Sequence, residues 1–197
     1  MAKQLPDHPE IEPLTRIQVL IAMGVTAVVL LVVAKLWLHL SSVALLPLSG
    51  TPDALFLGLA IGVGISAASS LVYRLWPAYR HSADYYLHLV LKPLVLPDII
   101  WLGLLPGMSE ELLFRGVMLP AIGLNATGLV ATSLLFGILH LSGRQQWPYV
   151  VWASVVGLLL GFSALATGNL LVPIVAHIGT NLISSYLWKL GNRQVEA

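Results

Sequence analysis

The sequence predicts an all-α fold: a polytopic integral membrane helix bundle with about six membrane-embedded segments. Three observations point to it. Of 197 residues, 57% are hydrophobic and 10% charged, with a mean hydropathy of +0.87, whereas soluble domains carry about 25% charged residues. The apolar residues gather into runs near the ~20 needed to cross a bilayer. Eight of the ten basic residues also fall in inner segments, alternate connections and the tails, and none in the connections between them.

Met1–Arg16 is a polar tail with Pro6, Pro9, Pro13 and charges of both signs. Ile17–Leu40 is the first span. It is too long for a signal-peptide core and lacks a small-residue cleavage site, so it reads as a retained anchor. Lys35 lies near its far end, where it can snorkel. After the Ser41–Asp53 loop comes a second span, Ala54–Leu75. Its Gly58 and Gly62, like Gly157 and Gly161 later, form small-xxx-small faces that indicate close helix packing. Tyr73–Lys92 is polar and aromatic, and its middle is expected to lie along the interface.

Pro93–Pro120 is apolar except for an acidic motif and is interrupted by Pro97, Pro106 and Gly107. One kinked span and two shorter helices meeting near Pro106 both fit it. Ala126–Leu141 is a fourth, short segment, followed by the polar loop Ser142–Gln146. Trp147–Ala166 is the fifth span, Thr167–Asn169 a tight turn and Leu170–Lys189 the sixth span. Trp76, Tyr79, Trp147, Tyr149, Tyr186 and Trp188 fall near span ends, as an aromatic belt would. The bundle is one unit, 17–190, between polar tails 1–16 and 191–197.

With the N-terminus inside, the inner segments hold Lys3, Arg16, Arg74, Arg80, Lys92, Arg144, Lys189 and Arg193. Lys35 and Arg115 lie within spans, and the outer loops have no Lys or Arg. The expectation is that both termini face the cytoplasm of a bacterial plasma membrane, or the equivalent side of an organellar one. No basic run suggests nucleic acid. The absence of Cys excludes disulfides, thiolate metal ligands, a Cys nucleophile and S-acylation.

From Pro93 to His140 the ionisable side chains are Asp98, Glu110, Glu111, Arg115 and His140. A charge in a bilayer costs roughly 2.5–3.5 kcal/mol on insertion scales, so each must be paired or used. Glu111 and Arg115 are four apart with the acid first, the favourable order for a helical ion pair. Glu110 points about 100° away and has no basic residue three or four positions off. Glu111–Arg115 therefore reads as a clamp and Glu110 as a carboxylate free for chemistry. Phe136 and His140 share a helical face, as do His177 and Asn181. Glu110, His140, His177 and Asn181 are expected to form one intramembrane polar site.

Glu-Glu-x-x-x-Arg, Phe-x-x-x-His and His-x-x-x-Asn, in that order on separate apolar segments, resemble the CPBP family of intramembrane proteases. That family takes in CAAX prenyl endopeptidases of the Rce1 kind and bacterial Abi and bacteriocin-processing proteins. Phe114-Arg115-Gly116, Leu141, Gly168-Asn169-Leu170 and Pro173 agree with the resemblance, which covers about Asp98–Leu190. It implies an endopeptidase with Glu110 as catalytic base and His140 positioning the water. His177 and Asn181 would stabilise the oxyanion, and Glu111 and Arg115 would hold the site together. Asn and His side chains suit that donor role, which is worth about 3–4 kcal/mol per donor.

Glu110, His140 and His177 are also the set that would bind zinc, with water in the fourth position. Metal-free hydrolysis is preferred, because Asn181 fits an oxyanion donor better than a zinc ligand. The partners expected are a membrane-associated peptide or protein substrate and the lipid bilayer. The competing classes are a non-proteolytic protein of the same fold, acting as scaffold, immunity factor or regulator, and a proton-relay transporter. The topology is checked by reporter fusions after Gly50 and at Ala197, which are expected to report opposite sides of the membrane. Agreement between them would make the helix count wrong by an odd number.

Overall fold

The structure is a computed structural model that describes residues 14–193, with side chains to residue 191. Most of the 1–16 tail and most of the 191–197 tail expected from the sequence lie outside the described residues. Eight α-helices follow in order: α1 Arg16–Leu40, α2 Pro52–Leu75, α3 Pro77–Leu91, α4 Ile99–Glu111, α5 Leu119–Ile122, α6 Ala126–Ile138, α7 Trp147–Thr167 and α8 Leu171–Arg193. No strand occurs among the described residues.

Local signals start and stop these helices where the sequence supplies them. Thr15 caps α1 in a reciprocal pair with Gln18, and Thr51 caps α2 with Pro52 in its first turn. Asn125 accepts from the Gly128 N–H to open α6. The expected turn after α7 is made by Gly168, whose φ of 59° is the left-handed conformation that ends helices. Asn169 then accepts from the Leu171 N–H and bonds both backbone groups of Ser49, tying the α1–α2 loop to the start of α8.

Four helical stretches are long and apolar enough to span a membrane alone: Arg16–Leu40, Pro52–Leu75, Arg144–Thr167 and Leu171–Gly191. Pro77–Leu91 and Leu96–Ile122 together give a fifth, broken by a bend of 105°. α6, at 13 residues, is a shorter embedded segment. Six segments thus remain a fair description. Of the two alternatives for Pro93–Pro120, the structure takes one continuous helical course from Leu96 to Ile122. Pro106 lies inside it, and residues Leu112–Met118 form a π-helical turn between α4 and α5.

That turn widens the helix where the acidic motif ends, a deformation often found at functional sites. The Gly116 carbonyl accepts from the Leu46 N–H of the α1–α2 loop, at 3.0 Å. Arg16, at the start of α1, holds Asp98 through two bonds of 2.7 Å, and Asp98 also accepts from the Val95 N–H. These contacts fix both ends of the motif-bearing helix against α1 and its loop.

The expected small-residue faces pack as anticipated. A Cβ at Gly58 would lie 2.7 Å from Val175 Cβ, and one at Gly62 would lie 2.8 Å from the Ala176 carbonyl. One at Gly161 would meet Leu129 Cδ1 at 2.6 Å. The belt assignment fails for Tyr79 and Tyr149. Tyr79 is buried, and its ring stacks 6.2 Å from that of Tyr149, between α3 and α7. A residue near a span end has the same sequence signature whether its ring faces lipid or an inward-folded helix. The 105° bend turns α3 inward here.

Gly62→Val should drive α2 from α8 and cost about 1–3 kcal/mol, read as a lowered Tm in detergent. Gly64→Ala, where an added Cβ has open space, should leave the Tm unchanged or slightly raised. Equal effects would refute the packing account.

Candidate active site

Glu110 and Glu111 are neighbours at the end of α4, and helical rotation sends them to different places. Glu111 is fully buried, as is Arg115, and Arg115 Nη1 donates to Glu111 Oε1 at 2.8 Å. The clamp expected from the spacing is present, with three further contacts that spacing does not reveal. His177 Nδ1 also bonds Glu111 Oε1 at 2.8 Å. Arg115 Nη2 donates to the Gly157 carbonyl at 2.9 Å. The guanidinium lies over the Phe136 ring, 4.5 Å from its centroid, an attraction that strengthens away from water.

Gly157 leaves little room for a side chain here: a Cβ there would lie 3.2 Å from Ser133 and 3.3 Å from Arg115 Nη2. The Phe136 ring also meets His140 at 4.6 Å and His177 at 5.8 Å between centroids. Phe136 thereby touches the Arg115 guanidinium and both histidine rings.

Glu110 faces a cavity of about 560 Å³, as do His140, His177, Asn181 and Phe136. The four polar residues expected to share one site therefore converge, and Glu111 and Arg115 stand behind them. His140 Nδ1 lies 2.7 Å from the Phe136 carbonyl. A carbonyl can only accept, so Nδ1 carries the proton and, in the neutral ring, Nε2 is an acceptor. Nε2 faces Glu110 Oε2 at 3.9 Å, and this oxygen has no hydrogen-bond partner. Two proton acceptors at that separation suit a molecule with two protons to give, such as water.

Behind His177, the Glu111 carboxylate accepts from Nδ1 and directs Nε2 away from the buried pair. Asn181 is placed by a backbone defect. Pro106 has no N–H to donate to Leu102, four residues earlier, so that carbonyl is left without its helical partner. Asn181 Nδ2 reaches it at 3.4 Å, a long bond that leaves much of the amide's donor capacity available.

Sequence reading missed the aromatic wall of this cavity. Tyr86 stacks on Tyr149 at 4.7 Å, and Tyr149 lies 6.3 Å from His140. The alternation of polar and aromatic residues in Tyr73–Lys92 was its only trace. Among the described residues, no three His, Asp or Glu side chains stand together as a metal-ligand set.

Residues 92–183 match a family model described as type II CAAX prenyl endopeptidase Rce1-like. That segment holds all three motifs. The uncharacterized protein YpbD of Bacillus subtilis (strain 168) is 32% identical over 120 residues, which is 61% of this chain and 61% of that protein. The chain therefore matches about three-fifths of this relative's length. No solved structure matches the chain.

The ion pair and the free carboxylate should respond differently to mutation. Glu111→Gln and Arg115→Met each leave a buried charge uncompensated and should lose about 3–5 kcal/mol, seen as low yield and lowered Tm. Glu110→Gln should keep the wild-type Tm. The reverse pattern would exchange the roles of the two acids.

Proposed function

We propose that this chain, Rce1-like over residues 92–183, is an intramembrane endopeptidase that hydrolyses peptide bonds with water activated by Glu110. The observation that carries the proposal is the facing pair of acceptors, Glu110 Oε2 and His140 Nε2, 3.9 Å apart. A water between them donates one proton to each. His140, fixed by the Phe136 carbonyl, orients the water while Glu110 takes a proton from it. The oxygen attacks the scissile carbonyl, whose oxygen becomes an oxyanion.

His177 and Asn181 are the donors for that oxyanion. Anchored on Glu111 through Nδ1, the His177 ring in its doubly protonated form presents Nε2–H to the cavity. The Asn181 amide adds a neutral donor. When the tetrahedral centre collapses, the C–N bond breaks and Glu110 returns its proton to the leaving amine. One water is consumed, giving a carboxylic acid and an amine. No step is routed through zinc, and Asn181 supports this choice by taking the role of oxyanion donor. The substrate is a membrane-associated peptide or protein, which the mostly apolar, aromatic lining suits.

The test uses the purified full chain in lipid nanodiscs with quenched-fluorescent apolar peptides. Glu110→Gln should lower turnover at least ~100-fold, since an amide cannot take a proton from water, and His140→Ala should lower it ~10–100-fold. Turnover should survive removal of metals with 1,10-phenanthroline. Wild-type activity in Glu110→Gln would end the proposal. Loss on chelation with recovery on adding zinc would end its metal-free part.

A further inference from the structure

Among the described residues and apart from the histidines, the lining of the cavity holds one acidic and one basic side chain, Glu110 and Arg74. Arg74 lies in the last turn of α2 and is exposed. Its positive charge there complements the helix dipole, but among the described residues its guanidinium makes no hydrogen bond or ion pair. Five N–H donors in a planar fork, matched to a carboxylate, thus stand at the cavity's edge.

The path from the proposed reacting centre to Arg74 is lined by polar groups. Gly62 of α2 accepts from Thr180 Oγ1 of α8 at 3.3 Å, and Gly58 faces Val172 and Val175. The two helices therefore run in the same direction, with Gly62 level with the turn around His177. Beyond this level, the cavity is lined by Ser69 and Ser70 on α2 and by Asn181, Ser184 and Ser185 on α8. Their hydroxyl and amide groups suit the backbone of an extended peptide. The lining also carries the rings of Tyr86, Tyr149 and Trp152, and Trp152 Nε1 donates to Ser69 Oγ at 3.1 Å.

We propose that Arg74 is an anion subsite of this cavity and binds a carboxylate of the peptide substrate. Arg74 is twelve residues beyond Gly62, about 18 Å along the helix. An extended peptide covers about 3.3–3.6 Å per residue. Allowing for the length of the arginine side chain, the carboxylate lies about three to five residues from the bond that is cut. It is either the peptide's C-terminus or an Asp or Glu side chain at that spacing. The proposal rests on the cavity being the substrate site, as in the hydrolysis proposed above.

The experiment measures binding separately from chemistry. Glu110→Gln protein in phosphatidylcholine nanodiscs is titrated with fluorescein-labelled apolar octapeptide pools. One pool has a free C-terminal carboxylate, one is amidated, and one is amidated with a single Asp at successive positions. The free acid or one of the Asp pools should bind about tenfold tighter than the plain amide. That preference should vanish when Arg74→Ala is added, persist in part with Arg74→Lys, and pass to Lys-containing peptides with Arg74→Glu. A preference for the acid identifies the C-terminus, and one confined to an Asp position identifies a side chain.

Equal binding of all pools, or no binding, overturns the subsite. So does an effect of Arg74→Ala seen only when phosphatidylglycerol is added, because the arginine then serves lipid phosphate. Wild-type turnover of the same pools tests the hydrolysis independently. Absence of cleavage with the acid preference intact ends that proposal and leaves the subsite standing.

Discussion

The site depends on the Glu111 carboxylate, which accepts from Arg115 and from His177 through the same oxygen, each at 2.8 Å. Neither Glu111 nor Arg115 has any exposed side-chain surface. In such a place an unpaired charge costs several kcal/mol, so each partner holds the other in the folded state. Arg115 extends the connection to the Gly157 carbonyl of α7 and to the Phe136 ring of α6. One carboxylate at the end of α4 thus links three other helices. The linkage is incomplete: Glu111 Oε2 and Arg115 Nε have no hydrogen-bond partners. The network gains orientation at the expense of full satisfaction.

The adjacent acids show how little sequence distance separates support from chemistry. A rotation of about 100° per residue puts Glu111 in the dry interior and Glu110 at the cavity wall. His140 and His177 divide along the same line. His140 leans on a neutral carbonyl, which fixes its tautomer. His177 leans on a carboxylate. Two rings of the same chemistry are thereby held through Nδ1 by acceptors of different charge.

The membrane class, most helix positions, the Glu111–Arg115 pair and the convergence of Glu110, His140, His177 and Asn181 were legible in the sequence. They were legible because charge is expensive in an apolar chain and because residues four apart meet on a helix. The His177–Glu111 bond spans 66 positions, and no local rule reaches that far. The π-helical turn was not read from the sequence, since its residues other than Gly116 are common in α-helices and a lone Gly does not specify a π-turn. Tyr79 and Tyr149 were misplaced because proximity to a span end does not say which way a ring faces. Pro106 was read only as a break, and its freeing of the Leu102 carbonyl for Asn181 emerged with the neighbouring helix in place.

The shortness of α6 bears on how the interior is supplied. Thirteen residues make about 20 Å of helix, against a hydrocarbon core about 30 Å thick. The helix ends at Ile138, and Leu141 to Gln145 are all exposed. His140 therefore lies between the sealed interior and a polar, accessible connection. A hydrolase embedded in lipid consumes a reactant that lipid excludes, and its rate is bounded by delivery of that reactant as well as by bond cleavage. A helix too short to cross the hydrocarbon core ends next to the residue proposed to orient the water.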